Sequence, residues 1–317
     1  VLPSVAAFID RLIDYAGLFP PARLPMDQAV SVFSAARQGP YGEILARFIC
    51  PAGRLADFEQ AAAGCLRAER GGWQVSALAQ GGTDRASFEL SLNDDLAAVS
   101  RFPQSPELAC RVDAIEMRLP ERADPAQLID AAVSALAATT LRPFFEIPWS
   151  AGGNFLEEAL RAIQRSAARF PAGQSAPGAK IRTGGVTADQ VPGCDRVAEF
   201  IAACRRHGVA MKATAGLHHA VRAPDEQVGA TQHGFLNVFT AAVAACVHGA
   251  GEDTLIEILA CPDAQEFRFD DQAMNWRGLR LEARQIEQAR RQFAVSYGSC
   301  SLDEPIDDLC RLGLLSR

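Results

Sequence analysis

The chain has 317 residues, 49% of them apolar and 22% charged, with a formal charge of −7; this is the usage of a folded globular protein, not a disordered one. An acidic chain with no dense basic run lacks the positive face that nucleic acids or anionic membranes require. Its nine cysteines form no C-x-x-C pair and no zinc-finger spacing, so a reducing, cytoplasmic compartment is expected.

Short β-rich runs alternate with alanine-rich segments of helical period, the pattern of βα units on a parallel sheet. The opening "VLPSVAAFIDRL" carries Asp10 and Arg11 within its apolar pattern and lacks the charged start and long apolar core of a secretion signal. Strands are then predicted at 12–19, 44–50, 73–79, 112–119, 142–149, 178–183 and 209–214, with the eighth at "EFRFD", residues 266–270. Helices are predicted at 54–69, 93–102, 124–138, 155–170 and 194–208, several opened by Asn or Asp, and Gly208 stops the last.

Residues 171–178 read as a loop, and "FLNVFTAAVAACV", 235–247, is too short to span a bilayer and reads as a buried helix. "TLIEILAC" can be helical and "FRFDDQAMNW" can be a hairpin, which leaves the eighth strand open. His233 stands before the apolar helix as a cap or a pocket residue, and 302–315 reads as a terminal helix. Eight strands would close a (β/α)8 TIM-type barrel, parallel strands with outer helices, as a single domain over 1–317 with a helical extension from about 280.

Of 31 basic residues only Lys180 and Lys212 are lysines; the other 29 are arginines. Arginine is permanently protonated, whereas a lysine amine can lose its proton and attack a carbonyl. Both lysines fall on predicted strands, with Glu116, Glu146 and Arg182, and charge in a buried parallel sheet is costly unless paired. Two amines facing each other from neighbouring strands repel, so one should have its pKa lowered and become a nucleophile, with Glu116 shuttling protons.

Around them, Arg182 suits an anionic group or pairs with a buried glutamate, and the Thr183-Gly184-Gly185 turn can offer N–H groups to an anion. Asp14 faces the barrel mouth or steadies the first turn. Cys50 and Cys300 read as buried small residues, with no paired base identifiable in the sequence.

The order of these motifs resembles the deoxyribose-phosphate aldolase family and the wider class I aldolase barrels, over about residues 9–219. "FIDRLIDYAGLFPPA" resembles its opening helix and first strand, and "RFICP" its second strand, placing Cys50. "DAIEMRL" is similar to the strand bearing its acidic relay, with Glu116 in place of aspartate. "GAKIRTGG" resembles the strand with the Schiff-base lysine, pointing to Lys180; "MKATAGLHH" resembles the strand with the second, pKa-lowering lysine, pointing to Lys212.

Arg182, the Ala215-Gly216 pair and His218-His219 depart from the family's pattern, and no Gly-Ser-Ser phosphate loop is visible, although "YGSCS", 297–301, stands as a contributor from the tail. The expected function is therefore a Schiff-base lyase or isomerase acting on a small carbonyl compound with an anionic or polar end, without a cofactor. Lys180, Lys212 and Glu116 are the catalytic candidates. Arg182, Thr183, Gly184, Gly185, Gly216, His218, His219, Glu146 and Asp14 are the candidates for binding substrate. A homo-oligomer is left open. Two alternatives remain at this point: a metal-dependent hydrolase or isomerase using His218 and His219 with Glu116 and Glu146, and a barrel that binds a small molecule without turning it over.

Overall fold

In the computed structural model, which describes residues 1–68, 72–103, 110–171 and 175–316, helices and strands alternate from the start. Helix α1 (Pro3–Ile9) leads to β1 (Ile13–Tyr15), α2 (Met26–Gln38) to β2 (Leu45–Pro51), α3 (Leu55–Ala68) to β3 (Trp73–Leu78), and α4 (Arg85–Arg101) to β4 (Cys110–Arg118). The series continues with α5 (Pro125–Leu136) and β5 (Arg142–Glu146), α6 (Phe155–Ser166) and β6 (Gly178–Arg182), then α7 (Cys194–His207) and β7 (Ala210–Thr214).

Beyond β7 come an antiparallel ribbon of β8 (Ala223–Asp225) and β9 (Ala230–Gln232), then helices α8 (Phe235–His248) and α9 (Glu252–Ala260). An antiparallel sheet of β10 (Arg268–Phe269), β11 (Ala273–Trp276) and β12 (Leu279–Glu282) follows. Helix α10 (Ala283–Gln292), strand β13 (Ala294–Ser299) and helix α11 (Asp303–Arg311) complete the chain. The barrel closes in the order β1-β13-β7-β6-β5-β4-β3-β2, with parallel neighbours throughout. It is a (β/α)8 TIM-type barrel.

Local chemistry sets the helix ends. Asp124 accepts hydrogen bonds from the Ala126 and Gln127 N–H groups ahead of Pro125, and Asp84 and Ser87 form a reciprocal cap on α4. Helix α4 therefore starts at Arg85, not at the predicted Asn93. Gly208, at φ +63°, ends α7 in the left-handed conformation that glycine tolerates. The apolar core lies between staves and helices: Phe33, Phe48, Phe58 and Trp73 meet at ring centroid separations of 4.8–6.1 Å. Among the described residues no helix is long and apolar enough to cross a membrane.

The predicted eighth strand is displaced. Arg268–Phe269 pair with β11 outside the barrel, as the hairpin reading of that stretch allowed, and the eighth stave is β13, paired through Ile13↔Tyr297 and Tyr297↔Ala213. Residues 294–299 therefore belong to the barrel and not to a helical extension. Of the other predicted segments, Glu69 at the end of the 54–69 helix and residues 172–174 of the 171–178 loop lie outside the described residues.

Candidate active site

Parallel pairing puts charged side chains from four staves at one level. Lys180 is the register partner of both Glu146 and Lys212, and Glu116 and Arg118, two residues apart on β4, share its inner face. Lys180 Nζ lies 2.9 Å from Glu116 Oε2 and 2.7 Å from Glu146 Oε2. Lys212 Nζ lies 2.5 Å from Glu116 Oε1 and 2.5 Å from Asp14 Oδ2. Ser76 Oγ donates to Glu116 Oε1 at 2.7 Å, and Ser296 Oγ to Asp14 Oδ2 at 2.6 Å.

At the two ends of this string, Arg182 Nε is 3.6 Å from Glu146 Oε1 and Arg47 Nη1 is 3.9 Å from Asp14 Oδ1. Charges thus alternate across the barrel interior. Compensation of this kind is what permits burial of so many ions.

These contacts correct one expectation. The two lysines do stand side by side, but Glu116 bridges them, so their repulsion is offset. Burial alone would push the Lys180 pKa down; the carboxylates of Glu146 and Glu116 outweigh it and hold the ammonium above the ordinary lysine value. Burial likewise works against ionised Glu116, yet Lys212 and Lys180 hold its carboxyl well below the usual carboxylate range. Glu146 is held down for the same reason, by Lys180 and then Arg182. Held by these carboxylates, Lys180 is a stabilised ammonium.

Above this network, at the C-terminal ends of the staves, a cavity of about 770 Å³ opens, lined by Lys180, Glu116, Glu146, Arg182, His218 and Cys300 among others. Lys180 reaches it and Lys212 does not; Lys212 is fully buried below. Asp14 is also absent from the lining and serves Lys212 instead of the mouth. Glu146 lines the cavity as expected, but as the second carboxylate on the lysine.

The glycine turn divides. The Thr183 N–H donates to Thr214 O at 2.9 Å and its hydroxyl to Ala215 O at 2.7 Å, so Thr183 fastens β6 to β7 and has no donor left for an anion. A Cβ on Gly184 would come 2.6 Å from Gly216 Cα, and Gly216 has φ +77°, so these two serve close backbone packing; Gly185 and Gly216 also line the cavity wall.

The paired histidines separate as well. His218 lines the cavity and its Nδ1 meets Glu304 Oε2 at 2.8 Å. His219 points to Asp308 Oδ2 at 3.2 Å and clamps the loop to α11. His218, His219, Glu116 and Glu146 therefore do not converge on one point, and among the described residues no group of three or more His, Cys, Asp or Glu is arranged to hold a metal ion. His233 is no cap: Gly234 takes that place, and His233 Nε2 bonds Pro192 O at 2.8 Å.

Residues the sequence reading passed over complete the site. Arg118 at the mouth and Arg47 inside the barrel both follow from the two-residue period, one from Glu116 and the other from Ile49. Ser76 and Ser296 gave no signal beyond a hydroxyl in a strand. The tail stretch 297–301 does contribute, through Gly298 and Cys300 in the cavity wall.

His218 has a testable consequence for stability. Its contact with Cys300, at 4.0 Å, and then Glu304 raise its pKa from 6.5 to about 9. A raised pKa in the folded state means stability that is full below the unfolded value and lost as pH rises through the folded one. The unfolding free energy should therefore fall between about pH 6 and about pH 9.5 by more in the wild type than in His218→Asn. Parallel pH dependences, measured by denaturant titration, would refute this linkage.

No protein-family model matches the chain, and no curated protein matches it. Among solved structures it is similar to the apo form of a candidate deoxyribose-phosphate aldolase from Toxoplasma gondii ME49, at 10% identity and TM-score 0.41, covering 98% of this chain and 95% of the other. A second structure of a candidate deoxyribose-phosphate aldolase from that organism gives 10% identity and TM-score 0.39, with coverages of 98% and 93%. Residue roles rest on the geometry of this chain.

Proposed function

We propose that the protein is a Schiff-base lyase or isomerase acting on a small carbonyl compound that carries an anionic group, with Lys180 forming the iminium. The observation that carries this reading is the Lys180 ammonium at the cavity floor, 2.9 and 2.7 Å from Glu116 and Glu146. An iminium is a cation in the same place, so the two carboxylates that hold the resting ammonium also stabilise the charged intermediate.

Glu116 has both oxygens engaged, by Lys212, Lys180 and Ser76, and acts as the fixed counter-charge. Glu146 answers one ammonium and the more distant Arg182, and is the better proton acceptor. As a carbonyl enters, a Lys180 proton passes to Glu146 and the freed lone pair attacks the carbonyl carbon. The addition leaves an ammonium and an alkoxide, and a second nitrogen proton passes to the alkoxide to give the neutral carbinolamine. Glu146 then returns its proton to the hydroxyl, which leaves as water while the nitrogen lone pair forms the C=N bond.

The iminium then accepts the electron pair of the neighbouring carbon–carbon bond while a β-hydroxyl gives its proton to carboxylate, or accepts the pair of an α C–H bond in isomerisation. Lys212 balances Glu116, so that Glu116 stays ionised throughout. At the mouth Arg118, Arg182 and the raised His218 supply positive charge for the anionic end of the substrate.

The expected result with small aldehydes and ketones, after borohydride reduction, is one peptide adduct on Lys180 and none on Lys212, which lies outside the cavity. Absence of a Lys180 adduct across compounds that the protein demonstrably turns over would remove the iminium from the mechanism.

A further inference from the structure

One residue of the cavity wall, Cys300, has no part in the iminium chemistry. Cys300, on the residue after β13, is 9% exposed and lines the cavity. Its Sγ is 4.0 Å from His218 Nε2, and the other ring nitrogen of His218 is 2.8 Å from Glu304 Oε2. Thiol, imidazole and carboxylate stand in line, the arrangement in which a base takes the nucleophile's proton and a third group orients the base. The sequence gave Cys300 no base because His218 lies 82 residues away and Glu304 is on the terminal helix.

The surroundings suit a reactive thiol. His218 Nε2 faces the Cys300 sulfur at 4.0 Å, and Glu304 holds the opposite ring nitrogen at 2.8 Å, which fixes the imidazole for proton exchange with the thiol. Cys50 and Cys204 differ: burial is the largest influence on each and raises both thiols, Cys50 to about 12.

We infer that Cys300, with His218 as its base and Glu304 orienting the imidazole, is a second nucleophilic centre that captures small aldehydes in this cavity as a reversible hemithioacetal. The neutral form of the His218 imidazole takes the thiol proton at Nε2, and the sulfur lone pair forms a C–S bond to the aldehyde carbon. The C=O π pair moves to oxygen, which receives the proton back from His218 Nε2. Nothing is oxidised or reduced, and reversal releases the aldehyde. The addition needs only a nucleophile and a proton donor, and both are in place. It does not depend on Lys180.

The test is the rate of iodoacetamide alkylation of every cysteine in the full chain at neutral pH, followed by peptide mass spectrometry. Cys300 should react fastest, and His218→Asn should slow it by about tenfold or more while leaving the other cysteines unchanged. Glu304→Gln should slow it by a smaller factor. Propanal should then protect Cys300 saturably, and borohydride should leave no propyl group on the sulfur, since a hemithioacetal reverts.

Cys300 reacting no faster than half-exposed Cys194 or Cys246, an unchanged rate in His218→Asn, or no protection by propanal would each overturn the proposal. Reading the Lys180 adduct in the same digest separates the two readings. A Lys180 adduct without Cys300 protection defeats the thiol centre alone; Cys300 protection together with no Lys180 adduct from a compound that is turned over defeats the iminium alone.

Discussion

Lys180→Arg is expected to leave the protein folded, to give no borohydride-trapped adduct at position 180, and to lower turnover of any carbonyl substrate by about a thousandfold or more. Arginine keeps a cation between Glu116 and Glu146, so the buried carboxylates at 2.9 and 2.7 Å from Lys180 stay compensated. Its guanidinium does not lose a proton in a protein and cannot attack a carbonyl. The substitution therefore separates the charge of Lys180 from its amine. Alanine would confound them, because deleting one partner of a buried ion pair costs about 3–5 kcal/mol. Turnover, adduct mapping and circular dichroism on the same preparation decide the matter. A folded Lys180→Arg protein retaining most of its activity would show that the amine does no chemistry.

Glu116→Gln should destabilise the protein by about 3–5 kcal/mol at neutral pH and weaken its alkaline pH dependence. In the wild type, Lys180 has a folded pKa above the ordinary 10.5; the stability it contributes is full below that value and declines as pH rises through the folded pKa. Glu116, depressed from 4.5, contributes stability above that value which is lost as pH falls. The network is thus most stabilising between those two limits.

Without the bridging carboxylate, Lys180 keeps Glu146 at 2.7 Å but loses Glu116 and faces the Lys212 ammonium, which brings its folded pKa down toward that of the unfolded chain. The proton it holds in excess of the unfolded state is then smaller, and less stability is lost as pH rises. Denaturant unfolding at about pH 9 and about pH 11 reads the difference. A variant that loses stability over this interval as the wild type does would mean that Glu116 is not what compensates the lysines.

Much of the barrel was legible in the chain because seven staves are β-rich runs between helices of clear period. The eighth was not. Its sequence, "AVSYGS", is short of apolar residues because its inward positions meet polar partners, Ser296 bonding Asp14 and Gly298 standing against Thr214. Arg268–Phe269, in the more β-rich stretch, pairs instead in a small sheet outside the barrel. The lysines stood out by composition, and Glu116 by its place in an apolar strand. Asp14, Ser76 and Arg47 were missed as lysine-network partners because each is a common residue in an ordinary strand context.

The sequence by itself determined the βα alternation, the strands that carry both amines, and their rarity among arginines. Periodicity and residue type are local properties, and a single chain displays them. Only the tertiary structure decided the state of those amines. Glu116 is 64 residues from Lys180 and 96 from Lys212, and Asp14 comes from the opposite end of the chain. Closing the barrel sets these carboxylates against the lysines, and a proton is held by the charges that surround it in space, whatever their separation along the chain.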